Sequence, residues 1–220
     1  MATTSNKKVL FIVFAIMLLV LGVTFVGRVA YRDHKDYIIP TELKIDGTVL
    51  DKPRVIGQFQ FMSDEGKSFT KDDLKGHWSL LFFGFTNCGY VCPTTLSAVN
   101  NMYTALRAQL PANLLPQVIL VSVDPDRDTV NRMHQYVKAF NSAFIGIRGD
   151  ETQTKLLAQQ MSVVFAKVQE KNGDYSMNHS AEIMLLDPNG NLRAFLSYPH
   201  EGPVMARDYL TIMHALNGKS

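Results

Sequence analysis

The stretch Ser79-Leu80-Leu81-Phe82-Phe83-Gly84-Phe85, followed by Thr86-Asn87-Cys88-Gly89-Tyr90-Val91-Cys92-Pro93, decides how this chain folds. Its first part carries no charge and reads as a central strand buried on both faces. Pro93 suits the first turn of a helix, where its missing N–H costs nothing. Leu96, Val99, Met102, Tyr103, Leu106 and Leu110 then recur at helical spacing. The only two cysteines of the chain therefore lie where a buried strand turns into a helix. At four residues apart they share one helix face, and the first amides of the helix favour thiolate. Such a pair can close a disulfide, hold a soft metal ion, or alternate between the two.

Working outward, strands alternate with helices. Val55–Phe61 reads as a strand and Ser63-Asp64-Glu65-Gly66 as a turn. Lys71–Leu74 reads as one helical turn and Gln117–Val123 as a strand closed by Asp124-Pro125. Thr129–Phe140 is a helix, Phe144–Ile147 a short strand, and Asp150 caps a helix to about Met161. Lys171-Asn172-Gly173-Asp174 joins a hairpin between Val163–Gln169 and Tyr175–Met177, because Asn-Gly accepts positive φ. A second hairpin, Ile183–Leu186 with Leu192–Leu196, turns at Asp187-Pro188-Asn189-Gly190, and a last helix starts near Pro203. The alternation predicts an α/β fold with a central mixed sheet flanked by helices. The cysteines sit at a strand's carboxyl end, where open α/β sheets place their chemistry.

Two cysteines in 220 residues are too few for a disulfide scaffold or a four-cysteine zinc site. The net charge is +2 with acids and bases interleaved, which gives no basic stripe for nucleic acid. From Val9 to Val26 the chain has 18 residues without a charge. As a helix this run measures roughly 27 Å, close to the hydrocarbon thickness of a bilayer. Arg28 spoils the cleavage site that Ala30 would otherwise offer, so the segment reads as an uncleaved single-span anchor. The sequence thus divides into a membrane anchor at 1–28, a tether with little structure of its own at 29–52, and a folded domain at 53–220. The absence of a long Arg- and Ser-rich leader favours a bacterial inner membrane with the domain in the periplasm. The alternative is the mitochondrial inner membrane, with the domain in the intermembrane space.

A soft Cu(I) ion accepts two thiolates and one neutral ligand, for which imidazole is the usual choice. Among six histidines, His179 stands out because it follows a hairpin and precedes the buried strand Ile183–Leu186. Asp124 reaches the same sheet edge as the thiols, where it could ligate a harder Cu(II) or hold Arg127 as a charge partner. Asp126 and Asp128 read as an acidic cap of the following helix. Met177, two residues before His179, shares its face if the segment is extended.

Three blocks together resemble the SCO/SenC family: Phe83-Gly84-Phe85-Thr86-x-Cys88-x-x-x-Cys92-Pro93-x-Thr95-Leu96, Val123-Asp124-Pro125-x-Arg127-Asp128-Thr129, and His179-Ser180. These are membrane-anchored, thioredoxin-like copper chaperones for cytochrome c oxidase assembly. The resemblance implies a thioredoxin-like domain with Cys88, Cys92 and His179 as ligands of copper, Cu(I) and also Cu(II), with Asp124 as an additional candidate. It implies as partners an oxidase subunit carrying the CuA site, an upstream copper donor, a thiol reductant, and the membrane through the N-terminal helix. It leaves open whether the protein is also an enzyme. In that second reading, Cys88 and Cys92 are the catalytic pair of a thiol–disulfide oxidoreductase that reduces the CuA-site cysteines before loading. A peroxiredoxin-like peroxidase fits the distant histidine less well. Two departures stand out: Gly89-Tyr90 where the family usually has Pro-Asp, and Asn178 where it usually has Asp before the histidine. Each removes a carboxylate, so the thiols are expected to be more acidic and Cu(II) less favoured.

Overall fold

The computed structural model describes residues 14–24, 45–171 and 173–217. Residues 14–24 form a helix, α1, and the rest of the apolar run from Val9 to Val26 lies outside the described residues. Among the described residues no helix is long and apolar enough to cross a membrane. Residues 29–44 of the expected tether likewise lie outside them.

The folded unit is built on an eight-stranded mixed sheet. Its strands are β1 (Gly47–Arg54), β2 (Gln60–Ser63), β3 (Ser68–Thr70), β4 (Ser79–Gly84), β5 (Gln117–Ser122), β6 (Ile145–Arg148), β9 (Ile183–Leu186) and β10 (Leu192–Leu196). The order across the sheet is β1-β10-β9-β4-β5-β6-β2-β3. The β4–β5 and β5–β6 pairs are parallel and the others antiparallel. Every residue of β4 is buried, as its uncharged sequence requires. Strand alternation sends Leu80 and Phe82 to one face and Leu81 and Phe83 to the other. Helices α2 (Val91–Arg107), α3 (Val130–Phe140) and α5 (Gly202–Asn217) cover the first face. Helix α4 (Glu151–Gln160) covers the second together with Ile56, Phe59, Phe61 and Phe69. Asp150 caps α4 as expected, its carboxylate accepting from the Gln153 amide.

Two expectations need correction. Residues 47–52, read as tether, belong to β1, which pairs with β10 through Gly47↔Leu196, Thr48↔Phe195 and Val49↔Ala194. Its sequence is polar, ends near Pro53 and carries a register shift, all of which suit an edge strand and leave no clear period of two. The partner that makes it a strand lies far away in sequence. Similarly, the strand read at Val55–Phe61 begins only at Gln60, and its hairpin partner β3 is too short to announce itself.

Strands β7 (Phe165–Gln169) and β8 (Tyr175–His179) pair only with each other, as a separate two-stranded sheet. Gly173 in their turn has φ 85°, which glycine adopts without strain. Phe165 and Met177 pack against the second core face, whereas most other side chains of β7 are exposed.

Candidate metal centre

Cys88 lies in the loop after β4, and Cys92 is the second residue of α2. The residue before α2, Tyr90, offers no side-chain cap. The Cys88 sulfur takes that place and accepts from the Cys92 amide at 3.4 Å. Sequence thus supplies a thiolate where a helix has unpaired N–H groups. Gly84 makes room for the second sulfur: a Cβ there would sit 2.9 Å from Cys92 Sγ.

His179 ends β8, and its Nε2 stands 3.6 Å from Cys92 Sγ. Its Nδ1 faces the Ser180 carbonyl at 2.8 Å. A carbonyl only accepts, so in the neutral ring Nδ1 carries the proton and the Nε2 lone pair faces the sulfurs. The Phe85 ring meets the imidazole edge to face, with centroids 6.1 Å apart.

The two sulfurs and the imidazole nitrogen all lie within 4.8 Å of one another. A trigonal ion with bonds of about 2.0–2.3 Å spaces its ligand atoms roughly 3.5–4 Å apart, so little movement is needed to close on one. Two thiols and an imidazole are a soft donor set. No other described histidine or carboxylate belongs to this cluster.

The two thiols differ. Cys88 is pulled down to about 3, mainly by the hydrogen bond it shares with Cys92. Burial opposes the shift, while the amides of Cys92 and Tyr90 add to it. Cys92 is pushed up by the same shared hydrogen bond and by burial. The pair therefore holds one proton near neutral pH, with a half-buried thiolate at Cys88 and a buried thiol at Cys92.

Asp124 stands apart from the cluster. Of the two roles open to it, the structure shows the ion pair: Oδ2 bonds Arg127 Nε, and Oδ1 accepts from the Tyr175 hydroxyl at 2.8 Å. Asp128, expected to cap α3, does not; Thr129 does, accepting from the Arg132 amide. The fully buried Asp128 carboxylate instead accepts from the Thr86 hydroxyl and the Ser122 hydroxyl, both at 2.6 Å, and from the Thr86 amide. Burial raises its pKa. It braces the cysteine loop, a role that a cap-like sequence pattern conceals. Met177 lies on the same face of β8 as His179, but it fills the second core face.

The fold and site define a thioredoxin-like domain carrying a two-cysteine, one-histidine cluster. Comparison with known proteins agrees. The SCO1/SenC family model matches residues 48–214, and the chain belongs to that family. It is 37% identical over 142 residues to a SCO2-like protein of Rickettsia prowazekii, covering 64% of this chain and 68% of that one. A copper-bound ScoI of Arabidopsis thaliana superposes with TM-score 0.68 at 30% identity, covering 72% of this chain and 97% of its own. A copper-bound ScoI of Bradyrhizobium japonicum gives 0.63 at 33%, with 70% and 96% covered.

Proposed function

We propose that this protein is a copper chaperone that holds Cu(I) through Cys88, Cys92 and His179 and delivers it to the CuA site of cytochrome c oxidase. The observation that carries the reading is the convergence of the three ligand atoms within 4.8 Å, with the free lone pair of His179 directed at the sulfurs. The copper-bound relatives support the choice of metal. The half-buried Cys88 is the accessible sulfur, so an incoming recipient thiolate would displace it first. Stepwise exchange of thiolates would move the ion without releasing it to water. In this reading the apolar run 9–26 anchors the domain to a membrane, residues 29–46 are the tether, and the domain faces the periplasm.

Titration of the purified protein with Cu(I) against a competing chelator tests this. One tight copper per chain is expected, lost in Cys88→Ser or Cys92→Ser and weakened in His179→Ala. Wild-type protein that yields all its copper to a weak competitor would refute the reading.

A second reading is supported by the asymmetry of the thiols. An accessible thiolate beside a buried thiol is the arrangement of an attacking and a resolving cysteine. Cys88 would attack a recipient disulfide and release one recipient thiol. Cys92 would then close the Cys88–Cys92 disulfide and release the second. An external thiol reductant restores the pair. In this reading His179→Ala leaves disulfide reduction intact, while either cysteine substitution abolishes it.

A further inference from the structure

The hairpin carrying His179 shares no strand pairing with the main sheet, so something else must fix the imidazole against the sulfurs. Besides the packing of Phe165 and Met177 on the core and the Lys167–Asp126 ion pair, its polar anchors gather around Tyr175, at the far end of the same strand. Arg127 Nη1 donates to the Tyr175 carbonyl at 2.9 Å and to Asp174 Oδ1 at 3.3 Å. The Arg127 guanidinium lies 3.7 Å from the centre of the Tyr175 ring, and Lys167 Nζ lies 3.6 Å from it. The ring hydroxyl donates to Asp124, which in turn holds Arg127. Tyr175 and His179 are four residues apart on one strand, hence on one face and about 13 Å apart. Fixing one end of so short a strand fixes the other.

The loop that makes this anchor also reaches the other half of the site. Asp128, next to Arg127, braces Thr86, two residues before Cys88. One five-residue segment, Asp124 to Asp128, thus grips both the cysteine loop and the histidine hairpin.

From this arrangement we infer that Asp124, Arg127 and Tyr175 form a positioning clamp that sets whether His179 joins the two thiols. The inference rests on the copper reading above. None of the three belongs to the cluster of Cys88, Cys92 and His179; they act through the imidazole. With the clamp open, the site keeps two sulfurs and loses its third ligand.

The test uses the full chain with Tyr175→Phe, which keeps the ring and removes the hydroxyl, and with Arg127→Lys, which keeps the charge and removes the planar fork. In metal-free protein, the NMR cross-relaxation between the Phe85 and His179 rings is expected to be clear in the wild type and to fade in both variants. With Cu(I), affinity should fall roughly three- to tenfold, the effect of one lost hydrogen bond. In a His179→Ala background neither substitution should change affinity further. An unchanged ring contact, or an equal loss of affinity in the His179→Ala background, overturns the clamp. Wild-type copper binding indifferent to His179→Ala would instead overturn the copper reading, and the metal-free ring contact would still decide the clamp.

Discussion

At the scale of single residues, the chemistry comes from an unequal division of one proton between two sulfurs. Cys88 stands at about 3 because Cys92 donates to it and amides at the start of α2 face it. Its folded pKa lies far below the roughly 8.5 of a free thiol. Its contribution to stability is therefore complete above that unfolded value and fades as pH falls toward about 3. Removing the strongest donor must move it upward. In Cys92→Ala, the thiolate absorbance of Cys88 is expected to titrate closer to the free value than in the wild-type pair. An unmoved titration would show that the helix amides alone hold the thiolate. Only part of this was legible beforehand. Four-residue spacing before Pro93 announces a helix-start thiolate pair. Nothing local tells which sulfur is buried, because the core around Cys92 comes from distant segments such as Ile56 and Leu186.

At the scale of elements, the β7–β8 hairpin was readable from Asn172-Gly173 and its flanking strands. Its separation from the main sheet was not, since periodicity carries no information about pairing partners. The same is true of β1, whose hydrogen bonds are supplied by β10. The hairpin also revises what its sequence suggests. Asn178, where the family usually has an aspartate, is exposed, and strand alternation sends it to the face opposite His179. Asn178→Asp is therefore expected to leave the titration of the thiols within a few tenths of a pH unit, since an exposed charge across a strand is well screened. A clear upward shift would mean that the missing carboxylate does tune the sulfurs. Gly89 has open space where a side chain would stand, and Tyr90 is largely exposed, so this departure relieves no crowding.

At the scale of the whole molecule, one sheet with a core on each face holds the site at its edge. β1 closes that sheet on one side. Arg207 bonds Asp46, and Asp208 accepts from the Asp46 amide, tying its start to α5. A chain beginning at residue 45 is expected to unfold at the same denaturant midpoint as the full chain in detergent. One beginning at residue 55 should lose about 2 kcal/mol or more and aggregate through the bared edge of β10. Equal midpoints would return residues 47–52 to the tether. The alternation of strands and helices made the α/β class plain from sequence, because a buried strand and amphipathic helices are local patterns. The placement of His179 beside Cys92 depends on how the hairpin folds back, and only the assembled molecule shows it.

The most direct measurement is X-ray absorption at the copper edge of the Cu(I)-loaded protein, wild type beside His179→Ala. Two sulfur ligands and one imidazole nitrogen are expected in the wild type, with only the nitrogen lost in the variant. A wild-type spectrum with sulfur ligands alone, identical to that of His179→Ala, would rule out the three-ligand site.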